Sequence, residues 1–267
     1  MEDSFEKKRK KDDNDDEIYF RNLRNKENSV HECSKHLIFN KNNWSLLIDW
    51  MVVFCYDASF LEDTLFLSFY IILHYYCETD FKKKNVQLNT STAISLASKI
   101  REVSDNQLSL KNYICEDDDF TKEDISENEY TMCDTLKWNL EIMTEIDFLS
   151  RYGRYCTKTE KTFAMFIIEQ TFYNLYLVQT MLPSLRVVCA LFLTSKHYKN
   201  EKLWTEDLRK ESRHSKEDII KFSKYMNNYL TDRQNEFDKH LNSSSISASY
   251  IKYSRLLSSL RYKYIYL

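Results

Sequence analysis

A chain of 267 residues with a single glycine, Gly153, and a single proline, Pro183, has few ways to turn sharply. Tight hairpins and bulges draw on glycine for backbone angles that other residues adopt at a cost, so a many-stranded sheet, sandwich or barrel is a poor fit. Glycine-rich phosphate loops and dinucleotide fingerprints need several glycines close together and are excluded outright. What remains is helices joined by loops of ordinary L-residues. Apolar residues make up 43% of the chain and aromatics 15%, enough to fill about two domains of roughly 100–200 residues each.

The charge and cysteine patterns remove further classes. A formal net charge of −3 is not the basic footprint expected of a nucleic-acid binder. The densest apolar run, Leu65 to Leu73, falls far short of the ~18 residues of a membrane span, and the charged start of the chain is unlike a signal peptide. The seven cysteines are widely scattered and no two have zinc-ribbon spacing. Reduced, packed thiols in an intracellular protein are expected. His31, His36, His74, His197, His214 and His240 are equally dispersed, with no convergent Ser/His/Asp or Cys/His set. No catalytic residue, metal or cofactor is expected, and the chain is read as a non-enzyme.

Residues 1–17 are nearly all polar, cations followed by acids, and cannot bury enough surface to fold. Residues 18–42 read as a short helix, with Tyr19, Phe20 and Leu23 on its apolar side, followed by a linker. From Asn43 the helical pattern is dense. Leu46, Leu47, Trp50, Met51 and Phe54 share a face; Asp63 is a candidate cap for an almost wholly apolar helix; Thr121 and Asp124 stand at the spacing of a capping box. The pattern then restarts. Thr144, Thr205 and Ser215 are candidate caps, a single helix is expected over the apolar stretch from Glu160 to Val178, and Pro183 suits the first turn of a helix.

Five helices over 43–142 are thus followed by five over 143–241, with an extension at 242–267. The middle helix of each set is rich in small residues, STAISLASK in the first and VVCALFLTSK in the second. Small residues on all sides suit the centre of a bundle, where neighbours approach closely all round. The expected fold is all-α: two consecutive five-helix domains preceded by a short N-terminal helix. Lys99 ends the first central helix. It reads either as a cation on a helix C-terminus, worth about 0.3–1 kcal/mol, or as a group that leaves a buried helix to hold something outside.

The order and spacing of LLIDWMV (46–52), DTLFLS (63–68), VQL (86–88), ASKIRE (97–102), FTKEDISENE (120–129), LKWNL (136–140), DFLSRY (147–152) and LPS (182–184) resemble the cyclin family, and within it the A- and B-type mitotic cyclins. The resemblance implies two cyclin boxes and a regulatory subunit that binds and activates a cyclin-dependent serine/threonine kinase as a heterodimer, in control of the cell cycle at G2/M. It also implies that Lys99 and Glu129 grip the backbone of the kinase, with Leu96, Ile100, Trp138 and Leu140 as apolar contacts. A transcription-type cyclin or a cyclin-like transcription scaffold is the alternative.

The sequence departs from the family where an arginine of the first helix pairs with an aspartate of the second. Trp44 and Leu73 stand near those places, and Trp44 is expected to pack near Leu73 and fill the space. Leu46, Leu47, Trp50 and Gln87 match the family's groove for Arg-x-Leu substrate peptides, but Val53 replaces its acid. Lys26, Glu27 and Asn28 match a short degron. Lys7, Lys8, Arg9, Lys10 and Lys11 form a candidate nuclear-import run, so that nucleus and cytoplasm are the expected locations.

Overall fold

The computed structural model describes residues 18, 20–22, 24–27, 41–79, 85–115, 118–240 and 248–253; the basic run at Lys7–Lys11 and Asn28 lie outside them. Among the described residues the regular structure is all helical. A short helix α1 covers 18–27. The first bundle consists of α2 (Lys41–Asp57), α3 (Glu62–Glu78), α4 (Val86–Arg101), a 3-10 turn at Leu110–Tyr113, and α5 (Lys122–Thr135). The second holds α6 (Glu145–Tyr152), α7 (Lys158–Phe172), α8 (Leu175–Thr180), α9 (Pro183–Tyr198), α10 (Glu206–Ser212) and α11 (Lys216–His240). A last short helix, α12 (Ala248–Lys252), follows.

The two small-residue helices hold the centres. Every residue of α4 from Asn89 to Ser98 is buried, with α3, α5 and α2 packed around it. In α9 nearly the whole run from Pro183 to Ser195 is buried, against α7, α11, α6 and α10. The serines that permit close approach also bond locally. Ser91 Oγ donates to the Tyr113 carbonyl at 2.9 Å, and Ser98 Oγ meets the Tyr113 hydroxyl at 2.7 Å.

Caps fix where helices begin. Thr121 with Asp124 and Thr144 with Asp147 form capping boxes, Thr205 caps α10, and Ser215 Oγ accepts from the Asp218 N–H at 3.0 Å. Three local expectations need correction. Asp63 lies inside α3 rather than before it. The start of α3 is held from 41 residues away by Glu102, whose Oε1 accepts from the N–H of the capping residue Leu61 at 2.7 Å and from the Thr64 hydroxyl at 2.5 Å. Asp63 instead pairs with Arg101 at 3.4 Å. The apolar stretch expected as one helix breaks at Tyr173–Asn174, where the Asn174 side chain accepts from Tyr176 N–H and starts α8. The fourth helix of the first bundle is only the 3-10 turn.

The two bundles meet around Phe172, whose ring lies 5.2 Å from Phe66, 4.5 Å from Phe69 and 5.7 Å from Tyr70. Beneath it is a buried polar knot. Arg186 Nε donates to Glu145 Oε1 at 2.6 Å, the Tyr70 hydroxyl donates to the same oxygen at 2.8 Å, and a second guanidinium nitrogen reaches the Tyr70 oxygen. The third donates to the carbonyls of Leu177, Val178 and Met181 that close α8. Glu145 holds the Arg186 guanidinium even more firmly protonated than usual, despite burial, and burial raises the Tyr70 hydroxyl.

Two largely buried histidines set a pH limit: burial lowers the pKa of His214, whose Nε2 lies 2.8 Å from Ser184 Oγ, to about 4, and His74 behaves alike. His74 Nε2 on α3 has no hydrogen-bond partner, and burial lowers its pKa from 6.5 to about 4. The folded state therefore resists protonation that the unfolded chain accepts. The resulting stability is complete above 6.5 and is lost as pH falls from there toward 4. His74→Leu is expected to make this acid limb shallower, His214 keeping its own share, while leaving neutral-pH stability the same or higher, as read from urea midpoints across that range. An unchanged acid limb would rule His74 out as a source of it.

Candidate functional site

At the C-terminal end of α4 the buried face ends and Lys99 emerges. Its ammonium donates to both oxygens of Glu129 on α5, each at 2.6 Å. Ser95 Oγ, one turn back on α4, donates to Glu129 Oε1 at 2.7 Å. The carboxylate is thus held from beneath by a buried hydroxyl and from above by a cation. The Lys99 side chain remains 45% exposed, against 13% for Glu129. A pair whose cation is open to water adds little to folding, about 1 kcal/mol or less. Its chemical capacity lies outward: three ammonium hydrogens for carbonyls, and carboxylate lone pairs for amides.

Beside the pair the surface is apolar. Trp138 is 63% exposed and meets the Tyr130 ring edge-on at 6.0 Å. Its exposure is built into the backbone. Lys137 and Trp138 both adopt left-handed angles, φ 52° and 57°, and the Trp138 N–H closes onto the Cys133 carbonyl at 2.7 Å. Non-glycine residues in that region cost of order 1–3 kcal/mol each, and such strain gathers at functional surfaces. Ile100, in the last turn of α4, and Val103, just past its end, are also exposed.

The other expected contacts are placed differently. Leu96 is 7% exposed and belongs to the core, and Leu140 is half-buried against it. Tyr130 and Val103 escaped the sequence reading. The signal for Tyr130 was an aromatic on the polar α5, directly after Glu129.

On the outer face of α2, Leu46 and Val53 are exposed, Trp50 is half-buried and stacks near Phe54 at 5.5 Å, and Gln87 is exposed in the first turn of α4. Leu47 is corrected: α2 turns it into the core. Two residues of the degron candidate are described. Lys26 and Glu27 lie in α1, Lys26 pairs with Glu141, and Glu27 is buried, accepting from the Ser184 N–H at the start of α9 at 2.5 Å. In the folded chain Glu27 is thus withdrawn from solvent, while the Lys26 side chain stays half-exposed. Burial raises the Glu27 pKa, with Ser184 acting against it.

Trp44 is buried, as is Leu73, but the bond that fixes its indole crosses to the second bundle: Nε1 donates to the Phe172 carbonyl at 2.6 Å. Phe172 is the last residue of α7, so this carbonyl would otherwise be among the unpaired groups of a helix end. Trp44→Phe is expected to lower unfolding stability by about 1–3 kcal/mol, the cost of leaving a buried polar group unmet. Thermal and urea melts check this, and no loss would remove the cross-bundle bond from the account.

Among the described residues no cluster of three or more His, Cys, Asp or Glu is arranged to hold a metal. No described helix is long and apolar enough to cross a membrane.

Two tandem bundles on central small-residue helices, with a paired Lys/Glu at the edge of the first, define a class. The chain belongs to the cyclin family: the cyclin N-terminal domain matches residues 18–141 and the cyclin C-terminal domain matches 143–258. Among named relatives, cyclin-B2-2 of Oryza sativa subsp. indica is 29% identical over 189 residues, covering 70% of this chain and 45% of that protein. The G2/mitotic-specific cyclin-B3 of Canis lupus familiaris is 27% identical over 232 residues, covering 86% of this chain and 16% of that protein. The G2/mitotic-specific cyclin-B of Hydra vulgaris is 29% identical over 178 residues, covering 66% and 48%. The chain thus spans less than half the length of these curated relatives. The viral cyclin of herpesvirus saimiri shares the fold with a TM-score of 0.60 and 21% identity, over 73% of this chain and 86% of that one. A chain of the CAK complex of Chaetomium thermophilum bound to ATP-gamma-S aligns with a TM-score of 0.51 and 11% identity, over 90% and 78%.

Proposed function

We propose that this chain is a non-catalytic regulatory subunit that binds and activates a cyclin-dependent serine/threonine kinase, in the manner of the mitotic cyclins that act at G2/M. One observation carries the reading: the Lys99–Glu129 pair, assembled in the free chain by Ser95 and flanked by the outward-held Trp138. A cation and an anion side by side match the bare C=O and N–H groups at the ends of a partner's helix or loop, and such charge-assisted bonds exceed neutral ones in strength. Kinases need one mobile helix positioned so that its glutamate meets the catalytic lysine before phosphoryl transfer proceeds. A rigid external surface that holds this helix supplies activation without supplying any reacting group. The mitotic assignment is supported by the named relatives.

The test is reconstitution. Purified chain is added to a panel of cyclin-dependent kinases, and both complex formation and phosphorylation of a model substrate are followed. At least one kinase is expected to bind and gain activity. Binding without activation would point to a scaffold, and activation confined to transcriptional kinases would displace the mitotic assignment. No binding to any of them would sink the reading.

A further inference from the structure

After α11 the chain returns to the seam between the two bundles, where α12 packs against α2 of the first and α7 of the second. Its bonds go to both sides. Ala248 N–H donates to Asp49 Oδ1 at 2.7 Å, an oxygen that also accepts from the Tyr173 hydroxyl of the second bundle at 3.0 Å. Ser249 Oγ accepts from Gln170 Nε2 at 2.6 Å. Lys252 Nζ lies 2.6 Å from Glu62 Oε2, at the start of α3, and 2.6 Å from Glu169 Oε2, on α7. The Tyr253 hydroxyl donates to the same Glu169 oxygen at 3.3 Å.

The arrangement around Lys252 is unusual in what it would leave behind. Two carboxylate oxygens, one from each bundle, sit on a single nitrogen and so lie no more than about 5 Å apart. Glu169 is fully buried and its other oxygen has no hydrogen-bond partner. Without the ammonium, two acids would face each other across the seam, Glu169 buried and Glu62 partly open to water, and keeping both ionised would carry an electrostatic cost. The assembly is open to solvent at Glu62, whose side chain is 38% exposed, and a cleft lined by Glu62, Lys158, Lys161, Met165 and Tyr253 borders it. A second cleft, lined by Cys55, Tyr56, Phe60, Leu61 and Lys252, leads to it as well.

We propose that residues 248–253 form a latch between the two bundles, with Lys252 joining a pair of acids that otherwise drive the seam apart. The relative placement of the bundles then depends on the C-terminal segment, and any surface that draws on both bundles depends on it too. The acids make the latch two-way: seated, it closes the seam, and withdrawn, it leaves a repulsion that opens it.

The test uses the full chain and backbone hydrogen exchange. Lys252→Met is expected to speed exchange in α2, the first turns of α3, and α7 by roughly tenfold or more, with α4 at the first bundle's centre little changed. Adding Glu62→Gln and Glu169→Gln to Lys252→Met removes the repulsion and is expected to restore most of the protection. If Lys252→Met does not fold, the proposal is read from the triple variant, which should fold, and from Lys252→Arg, which should keep the seam closed. Unchanged exchange in Lys252→Met would overturn the latch. So would a uniform rise along the whole chain, or a loss that the two glutamine substitutions fail to reverse.

Discussion

Lys99→Ala is expected to weaken kinase binding by about 2–5 kcal/mol, the usual loss when one side of a buried, hydrogen-bonded charged contact is truncated. Glu129→Ala should fall in the same range, because it removes the acceptor and leaves Ser95 Oγ and Lys99 Nζ without their shared partner. The isolated chain should melt almost unchanged in the Lys99 variant, since the solvent-open ammonium contributes little to folding and Ser95 Oγ still donates to Glu129. That contrast separates a clamp from an ordinary surface ion pair. The double variant should lose less than the sum of the singles, as the two groups touch each other and act on one partner. Kinase activation should fall in step with occupancy and return at saturating concentrations of the single variants. Calorimetry against the cognate kinase decides the matter: wild-type affinity in both single variants would reduce Lys99 to a helix-end cation.

The second large effect lies in the seam. Arg186→Met removes the cation that serves Glu145, Tyr70 and three carbonyls while leaving Glu145 buried. Stranding one member of a buried pair costs about 3–5 kcal/mol, whereas replacing both with apolar groups of similar size is often neutral. Arg186→Met is therefore expected to be severely destabilising in urea melts, and Arg186→Met with Glu145→Leu much less so. Equal losses in the single and double variants would mean that packing around Phe172, rather than the ion pair, sets the stability there.

Much of this architecture was legible in the sequence. Small residues all around α4 and α9 marked the two centres, a threonine followed three residues later by an acid marked a helix start at Thr121, and Thr144 stood out as a cap. These signals are local, and local physics answers them. Asp63 misled because the acceptor for the start of α3 is Glu102, brought there by folding. Leu47 and Leu96 misled for another reason: on helices apolar over most of their surface, spacing does not say which face looks outward. The break at Asn174 was hidden in an unbroken apolar run, where only the side-chain bond to Tyr176 N–H reveals a new helix.

The candidate site was legible in its charges and not in its shape. Lys99 stood out as a cation ending a buried run, and Glu129 followed from the resemblance. The exposure of Trp138 depends on two consecutive left-handed residues, for which a sequence with no glycine at that turn gives no cue. Arg186 carried a signal that was available: one arginine inside the apolar run LPSLRVVCALF. A charge so placed needs a buried partner, but only the fold shows that the partner is Glu145.

The unbroken burial of α4 from Asn89 to Ser98 also bears on how such a surface can diversify. Adding even a methylene to a packed interior position costs about 1–3 kcal/mol, a large share of the roughly 5–15 kcal/mol that holds a typical fold together. The central helix is thus closed to innovation along most of its length. Descendants of this chain that acquire new partners would have to do so just past Ser98, at Ile100 and Val103, and at the Lys137–Trp138 turn. There a side chain can be exchanged without disturbing the interior, while Lys99 keeps its place at the end of a helix that has no room to drift.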